Sequence, residues 1–248
     1  MTSLSTTWSM SNRTSDTLEV YLLGIVDFDS VLFLQERLVY EISGRSDKLG
    51  GLLICEHPPM VTIGRDGSQT DLLADPGEFI ARQMEVRWTN RGGACLVHAP
   101  GQLAVYPVVP LDRLGFGLTE YRSRLEQAVI DMCRELQVPA HRDPNEPGVF
   151  CRCGQTASLG VAVRSWVAYH GLFVNVCPNL DLVRMVRSNR CGKRTTSLSA
   201  QRLRKTSMHA VRESIIRNLV SRLGYETYHF YTGHPLLRRT RRRVYDYA

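Results

Sequence analysis

The chain has 248 residues, 43% of them hydrophobic and 22% charged, which is enough apolar material to bury a sizeable core and excludes a disordered or fibrous protein. No run approaches the roughly 18 apolar residues that span a bilayer, and residues 1–17 lack the apolar centre of an export signal, so a cytoplasmic protein without membrane contact is expected. The formal charge of +7 calls for an anionic partner; much of it sits in Arg238-Arg239-Thr240-Arg241-Arg242-Arg243, which reads as a solvated tail rather than a nucleic-acid arm.

Taken in chain order, residues 18–26 alternate like a strand, and residues 28–43 carry Val31, Leu32, Leu34, Leu38, Val39 and Ile42 near helical spacing. Residues 50–56 form a short apolar run that suits a buried strand, ended by His57-Pro58-Pro59. Strands are expected over 86–90 and 103–109. The clearest helix covers 119–136, with Leu125, Ala128, Val129, Met132 and Leu136 on one face and Pro139 as its stop. Three further strands over 148–153, 157–164 and 169–176 precede an amphipathic helix over 208–223. Strands outnumber helices, and no linker divides the chain, so the expectation is one α/β domain over residues 18–231, a mixed sheet flanked by helices. Residues 1–17 and 232–248 read as loose tails.

Seven cysteines are an odd number without an export signal, so they read as thiols rather than a disulfide framework. Cys151-x-Cys153 lacks the usual metal-ligand spacing and a second pair, so no metal site is expected. Residues 91–102 combine Arg91, the pair Gly92-Gly93, and His98. Paired glycines let a ligand approach the backbone, and Arg91 and His98 could meet an acyl carbonyl or a phosphate from two sides; the plainer reading is a hairpin with a surface arginine. Ser158-Leu159-Gly160 and His170-Gly171-Leu172 place glycines in apolar strands, where the neighbours could wall a lipid-like chain. Cys191-Gly192 lies among Arg187, Arg190, Lys193 and Arg194, surroundings that stabilise a thiolate.

These elements, in this order, resemble the octanoyl-[acyl-carrier-protein]:protein N-octanoyltransferases, or lipoyl(octanoyl) transferases. The resemblance runs from Glu56-His57-Pro58-Pro59 with Thr62-x-Gly64-Arg65, through Arg91-Gly92-Gly93, His98, Pro100-Gly101-Gln102-Leu103 and Tyr106-Pro107. It continues over Gly148-Val149, Ala157-Ser158-Leu159-Gly160-Val161, His170-Gly171-Leu172, Asn175 and Cys191-Gly192. It implies the catalytic domain shared with biotin and lipoate ligases, a tunnel for an eight-carbon chain, and no cofactor. It also implies transfer from octanoyl-acyl carrier protein to a lysine of lipoyl domains, those of 2-oxoacid dehydrogenases and the glycine cleavage H protein. Cys191 would carry the acyl group as a thioester. Substrate contacts would come from Arg91, Gly92, Gly93, Ala94, Cys95, Leu96, Val97 and His98, from Ser158, Leu159 and Gly160, and from Gly171, Leu172 and Phe173.

One position departs consequentially: the family's lysine, three residues before Ser-Leu-Gly, is here Gln155, whose amide carries no charge and exchanges no protons. Lys193 and His98 are the candidate substitutes, with Arg190 or Arg194 as sources of charge alone. The alternatives are a binding homologue that lost its chemistry with the lysine and, behind it, an ATP-dependent ligase of the same fold.

Overall fold

The apolar segment Thr17–Ile25 (β1) pairs in parallel with Gly50–Glu56 (β2), and the crossover between them is Phe28–Ser43 (α1). Asp27 starts that helix by accepting the Ser30 N–H at 2.8 Å. The computed structural model describes residues 16–201 and 206–237. Of the expected tails 1–17 and 232–248, residues 1–15 and 238–248, the arginine run included, therefore lie outside the described residues. Four more elements follow: Met60–Ile63 (β3), Pro76–Ala81 (α2), Glu85–Trp88 (β4) and Cys95–His98 (β5). Next come Gln102–Pro110 (β6), Leu111–Leu114 (α3) and Leu118–Glu135 (α4). Ala140–Arg142 (β7), Val149–Cys151 (β8), Gly154–Arg164 (β9) and Val167–Asn175 (β10) complete most of the sheet. Leu180–Val183 (α5), Met208–Leu223 (α6) and Thr227–Thr232 (β11) close the described chain.

The strands form an eight-stranded mixed sheet in the order β11-β1-β2-β6-β10-β9-β8-β7 and a three-stranded sheet in the order β4-β3-β5. Both faces of the large sheet are covered, which is why β2 reads as an unbroken apolar run instead of alternating. Leu52 and Ile54 enter a core capped by Leu125, Met132, Ile215 and Leu219 of α4 and α6; Leu53 and Cys55 enter a second core under Val31, Leu34 and Leu38 of α1. The small sheet has its own core, in which Val61, Ile63, Cys95 and Val97 meet Phe79, Val183 and Met185. Among the described residues, no helix is long and apolar enough to cross a membrane.

Two details position the site. Gly160 of β9 and Gly171 of β10 stand opposite each other in the ladder. The β10–β6 ladder opens opposite Pro107, which has no N–H to give; His170 there takes φ +56°, and its own N–H is bound by Gln35 Oε1 of α1 at 2.7 Å. At the C-terminal end, packing continues past residue 231. The Gly233 N–H donates to Leu22 O at 2.8 Å, His234 lies against Tyr21 with ring centroids 4.8 Å apart, and Leu237 packs on the core under α1.

Candidate active site

Two glycine-dependent approaches bring the β4–β5 connection onto β9. The Gly92 N–H donates to Val161 O at 2.9 Å, and a Cβ at Gly160 would stand 2.5 Å from Gly92 O. Residues 64–66 follow the same loop from the other side: Gly64, Arg65 and Asp66 donate their N–H groups to Ala94 O, Arg91 O and Gly93 O at 3.3, 3.0 and 3.2 Å. A side chain at Gly64 would meet Gly93 O directly. Gly93 takes φ +80°, a conformation that a β-carbon disfavours.

This packing seals Arg91 completely, so it is not a surface arginine on a hairpin. Its Nε and Nη2 donate to Thr62 Oγ1 at 3.2 and 2.8 Å, Nη2 also to Thr62 O at 2.9 Å, and Nη1 to Gly92 O at 3.0 Å. With both lone pairs of the Thr62 hydroxyl taken by the guanidinium, its proton goes to His98 Nε2 at 2.8 Å. The other ring nitrogen follows by elimination: Gln102 Nε2 donates to Val97 O and Asn175 Oδ1, both at 3.0 Å, so its Oε1 accepts His98 Nδ1–H at 3.1 Å. Arg91 and His98 thus meet through one hydroxyl rather than flanking a ligand from two sides. Among the described residues no carboxylate hydrogen-bonds the guanidinium, and burial lowers its pKa to about 10.

Burial, with His57 and Arg91 nearby, holds His98 well below the usual histidine range. Burial likewise lowers His57 to about 4 and, together with Arg91, His170 to about 3. His98 lies edge-on to Phe173 with centroids 4.8 Å apart. His98 is thus a sealed imidazole with both ring nitrogens engaged.

The other candidates divide by strand face. Ser158 pairs with Phe173 and Gly160 with Gly171 on the face toward Arg91, α1 and the small sheet. Leu159 and Leu172, also a register pair, point the other way into the core beneath α4 and α6. On β5, Leu96 joins the core under α1 and His98 the Arg91 network, while Cys95 and Val97 enter the core of the small sheet. Ala94 is buried where the loop enters β5. Burial raises the Cys95 thiol to about 11.

The second centre is the loop after α5. Gln155, almost fully buried, is locked by its main chain: its N–H donates to Arg194 O at 2.8 Å and its carbonyl accepts the Thr196 N–H at 2.9 Å. Its Nε2 donates to Pro147 O at 3.1 Å, and its Oε1 accepts Asn189 Nδ2 at 3.0 Å and Ser188 Oγ at 3.3 Å. Asn189, 1% exposed, also donates from Nδ2 to Lys193 O at 2.8 Å. Its Oδ1 accepts the Lys193 N–H at 2.9 Å and the Cys191 thiol at 3.1 Å. Cys191 itself is exposed, as are Cys153 and Cys177, whereas Cys55, Cys95, Cys133 and Cys151 are buried. Gln155 therefore reaches the cysteine through one intermediate amide.

Lys193 Nζ lies 2.6 Å from Asp143 Oδ2, which raises the ammonium pKa and lowers that of the carboxylate. Arg190 is held at both ends, its N–H by Glu146 Oε2 at 2.9 Å and its Nη2 by Asp66 Oδ1 at 3.1 Å. Asp66 also accepts the Gly93 N–H through Oδ2 at 2.8 Å, so one carboxylate ties the glycine loop to the cysteine loop. Along β9, Gln155 and Gly160 are five residues apart, about 16 Å. Among the described residues, no three His, Cys, Asp or Glu side chains gather as a metal-binding group.

Thr62 is visible in the sequence only as part of a motif, and Asn189, Asp66, Asp143 and Glu146 gain their roles from contacts between distant segments. Asn189 did leave a signal, since an asparagine opening a polar turn habitually binds main-chain groups further along it.

A doubly covered mixed sheet with a glycine loop laid on β9, and an exposed thiol held near the start of that strand, gives an α/β domain with the fold of lipoate protein ligases. Residues 28–220 match the lipoyl protein ligase A/B catalytic domain, and the chain belongs to that family. It is 40% identical to the octanoyltransferase of Geotalea uraniireducens over 182 residues, 72% of this chain and 80% of that one. It is 34% identical to that of Methylococcus capsulatus over 213 residues, 84% and 96% of the two chains. The fold is similar to a crystal structure of lipoate-protein ligase A bound with ATP (TM-score 0.71, 17% identity, 88% and 90% covered). It also resembles the bipartite lipoate protein ligase of Thermoplasma acidophilum, studied with its E2 lipoyl domain (TM-score 0.70, 17% identity, 88% of each chain covered).

Proposed function

We propose that this protein moves an octanoyl group from octanoyl-acyl carrier protein to a lysine of lipoyl domains, those of 2-oxoacid dehydrogenases and the glycine cleavage H protein, in the cytoplasm. The observation that carries the reading is the exposed Cys191 thiol, held by buried Asn189 beside Gln155, the position of the family lysine. Relatives named octanoyltransferase, similar over most of their length, support the choice of reaction.

The chemistry suits a cysteine. Exchange of one thioester for another is nearly isoenergetic, so Cys191 takes the acyl chain without ATP, and amide formation is downhill. The chain itself would lie along the Ser158, Gly160, Gly171 and Phe173 face, between the glycine loop and α1. Leu159 and Leu172 support that wall from behind. Lys193 supplies positive charge and Arg190 fixes the loop, which leaves the proton balance of the second step to the reacting groups themselves.

Intact-mass measurement after incubation with octanoyl carrier protein tests this. A hydroxylamine-labile octanoyl adduct is expected, absent in Cys191→Ala and lost on addition of lipoyl domain. No adduct, or one that survives Cys191→Ala, overturns the reading.

A further inference from the structure

In the resting enzyme both lone pairs of Asn189 Oδ1 are occupied, one by the Lys193 N–H and one by the Cys191 S–H. The amide cannot turn over to change this. Pro147 O, a main-chain carbonyl, fixes Gln155 with its Nε2 outward, so Gln155 presents Oε1 to Asn189; Lys193 O then takes the second Nδ2 proton. The two linked amides are thereby anchored on the Pro147 and Lys193 main chain, ending in an acceptor aimed at the sulfur. Acylation removes the S–H. The acyl-enzyme is left with a buried acceptor whose one open lone pair faces the thioester, a state that costs free energy until a donor arrives.

We propose that Asn189 is a catalytic residue of the second half-reaction, its Oδ1 receiving an N–H of the incoming lysine amine and aiming the nitrogen lone pair at the thioester carbon, with Gln155 as its positioning residue. This rests on the acyl-transfer reading above. The neutral amine attacks the carbonyl carbon, the new C–N bond forms as the C–Sγ bond breaks, and the amine proton passes to Cys191 Sγ. The thiol is regenerated and binds Asn189 Oδ1 again. Asn189 is never protonated; it holds the donor while charge develops on nitrogen. The pair thus supplies aim where the family lysine would supply a proton carrier.

The test separates the two half-reactions by rapid quench and intact mass, with octanoyl carrier protein as donor and a lipoyl domain as acceptor. In Asn189→Ala, acyl-Cys191 is expected to form within about threefold of the wild-type rate, while transfer falls by at least about tenfold, the worth of one hydrogen bond to a group gaining charge. Gln155→Leu, which leaves Asn189 in place without the oxygen that orients its Nδ2, slows transfer more than acylation. A purely structural Asn189 would depress both half-reactions and lower the melting temperature, and that result overturns the proposal. So does wild-type transfer in Asn189→Ala. Where the alanine variant does not fold, the Leu variant decides by the same ratio. If wild type forms no acyl-Cys191, the acyl-transfer reading itself falls, and the role of Asn189 with it.

Discussion

Replacing Thr62 by valine tests the Arg91 network at its narrowest point. The two side chains have nearly the same shape, so the change removes one hydroxyl and little else. That hydroxyl makes three buried hydrogen bonds, two from Arg91 and one to His98. In Thr62→Val, Nη2 keeps Thr62 O at 2.9 Å, but Arg91 Nε and His98 Nε2 are left without partners in a region sealed from water. Stranding a neutral buried group costs about 1–3 kcal/mol and a group on a buried cation more, so the expected loss is about 3–5 kcal/mol. This is a large share of the about 5–15 kcal/mol available to a domain of this size. Urea denaturation followed by tryptophan fluorescence reads the change as a lowered midpoint at constant slope. Thr62→Ser, which keeps the oxygen and loses one methyl, should cost only about 1 kcal/mol. A Thr62→Val protein within 1 kcal/mol of wild type, or a serine variant equally damaged, refutes the claim that hydrogen bonding at this hydroxyl holds the buried cation.

His57 and His170 are neutral in the folded chain, with pKa values lowered to about 4 and about 3, whereas the unfolded chain protonates them from about 6.5 downward. The unfolded state therefore binds more protons below that pH, so stability is complete above about 6.5 and falls by up to about 1.4 kcal/mol per pH unit per histidine on acidification. Urea midpoints that are equal at pH 7.5 and 5.0, or a wild-type slope retained in His57→Gln, would count against this. Gly160→Ala places a methyl 2.5 Å from Gly92 O and 3.2 Å from Arg91 Cδ, and since a main-chain oxygen cannot swing aside it should cost about 1–3 kcal/mol and slow Cys191 acylation. Unchanged stability and acylation would mean that the glycine loop is free to lift off β9.

The core of the fold was legible because its elements carry strong periodic signals. Leu125, Ala128, Val129 and Met132 share one face of α4, and the apolar run of β2 is what burial on both faces produces. Elements escaped where tertiary context supplies what the pattern lacks. β3 is four residues long and opens directly after a proline pair, and α2 buries only Phe79. β11 is exposed along its whole length and owes its structure to parallel pairing with β1. The same limit applied to the site. Cys191 stood out by residue type and basic surroundings, and Gln155 through the octanoyltransferase resemblance, but the face on which a strand residue points depends on register, and register separates Gly160 and Gly171 from Leu159 and Leu172. Arg91 was legible as a cation and illegible as a buried one, because its seal comes from residues 64–66, nearly thirty positions upstream.

Gln155 bears on how the position at which the octanoyltransferase resemblance implies a lysine tolerates change. Its place beside the cysteine loop is fixed by main chain alone, through Arg194 O and the Thr196 N–H, so any side chain at 155 is delivered to the same spot. What it does there depends on its complement of donors and acceptors. A glutamine gives Pro147 O a donor and gives Asn189 and Ser188 an acceptor, and all three bonds are made. An ammonium could satisfy Pro147 O but has no lone pair, so Asn189 Nδ2 would keep Lys193 O and lose the Gln155 oxygen, and Ser188 would turn its hydroxyl to Thr195 Oγ1. Gln155 and Asn189 are therefore matched to each other. A lysine introduced at 155 alone meets a loop arranged around an amide, so its chemistry is inseparable from the orientation of Asn189.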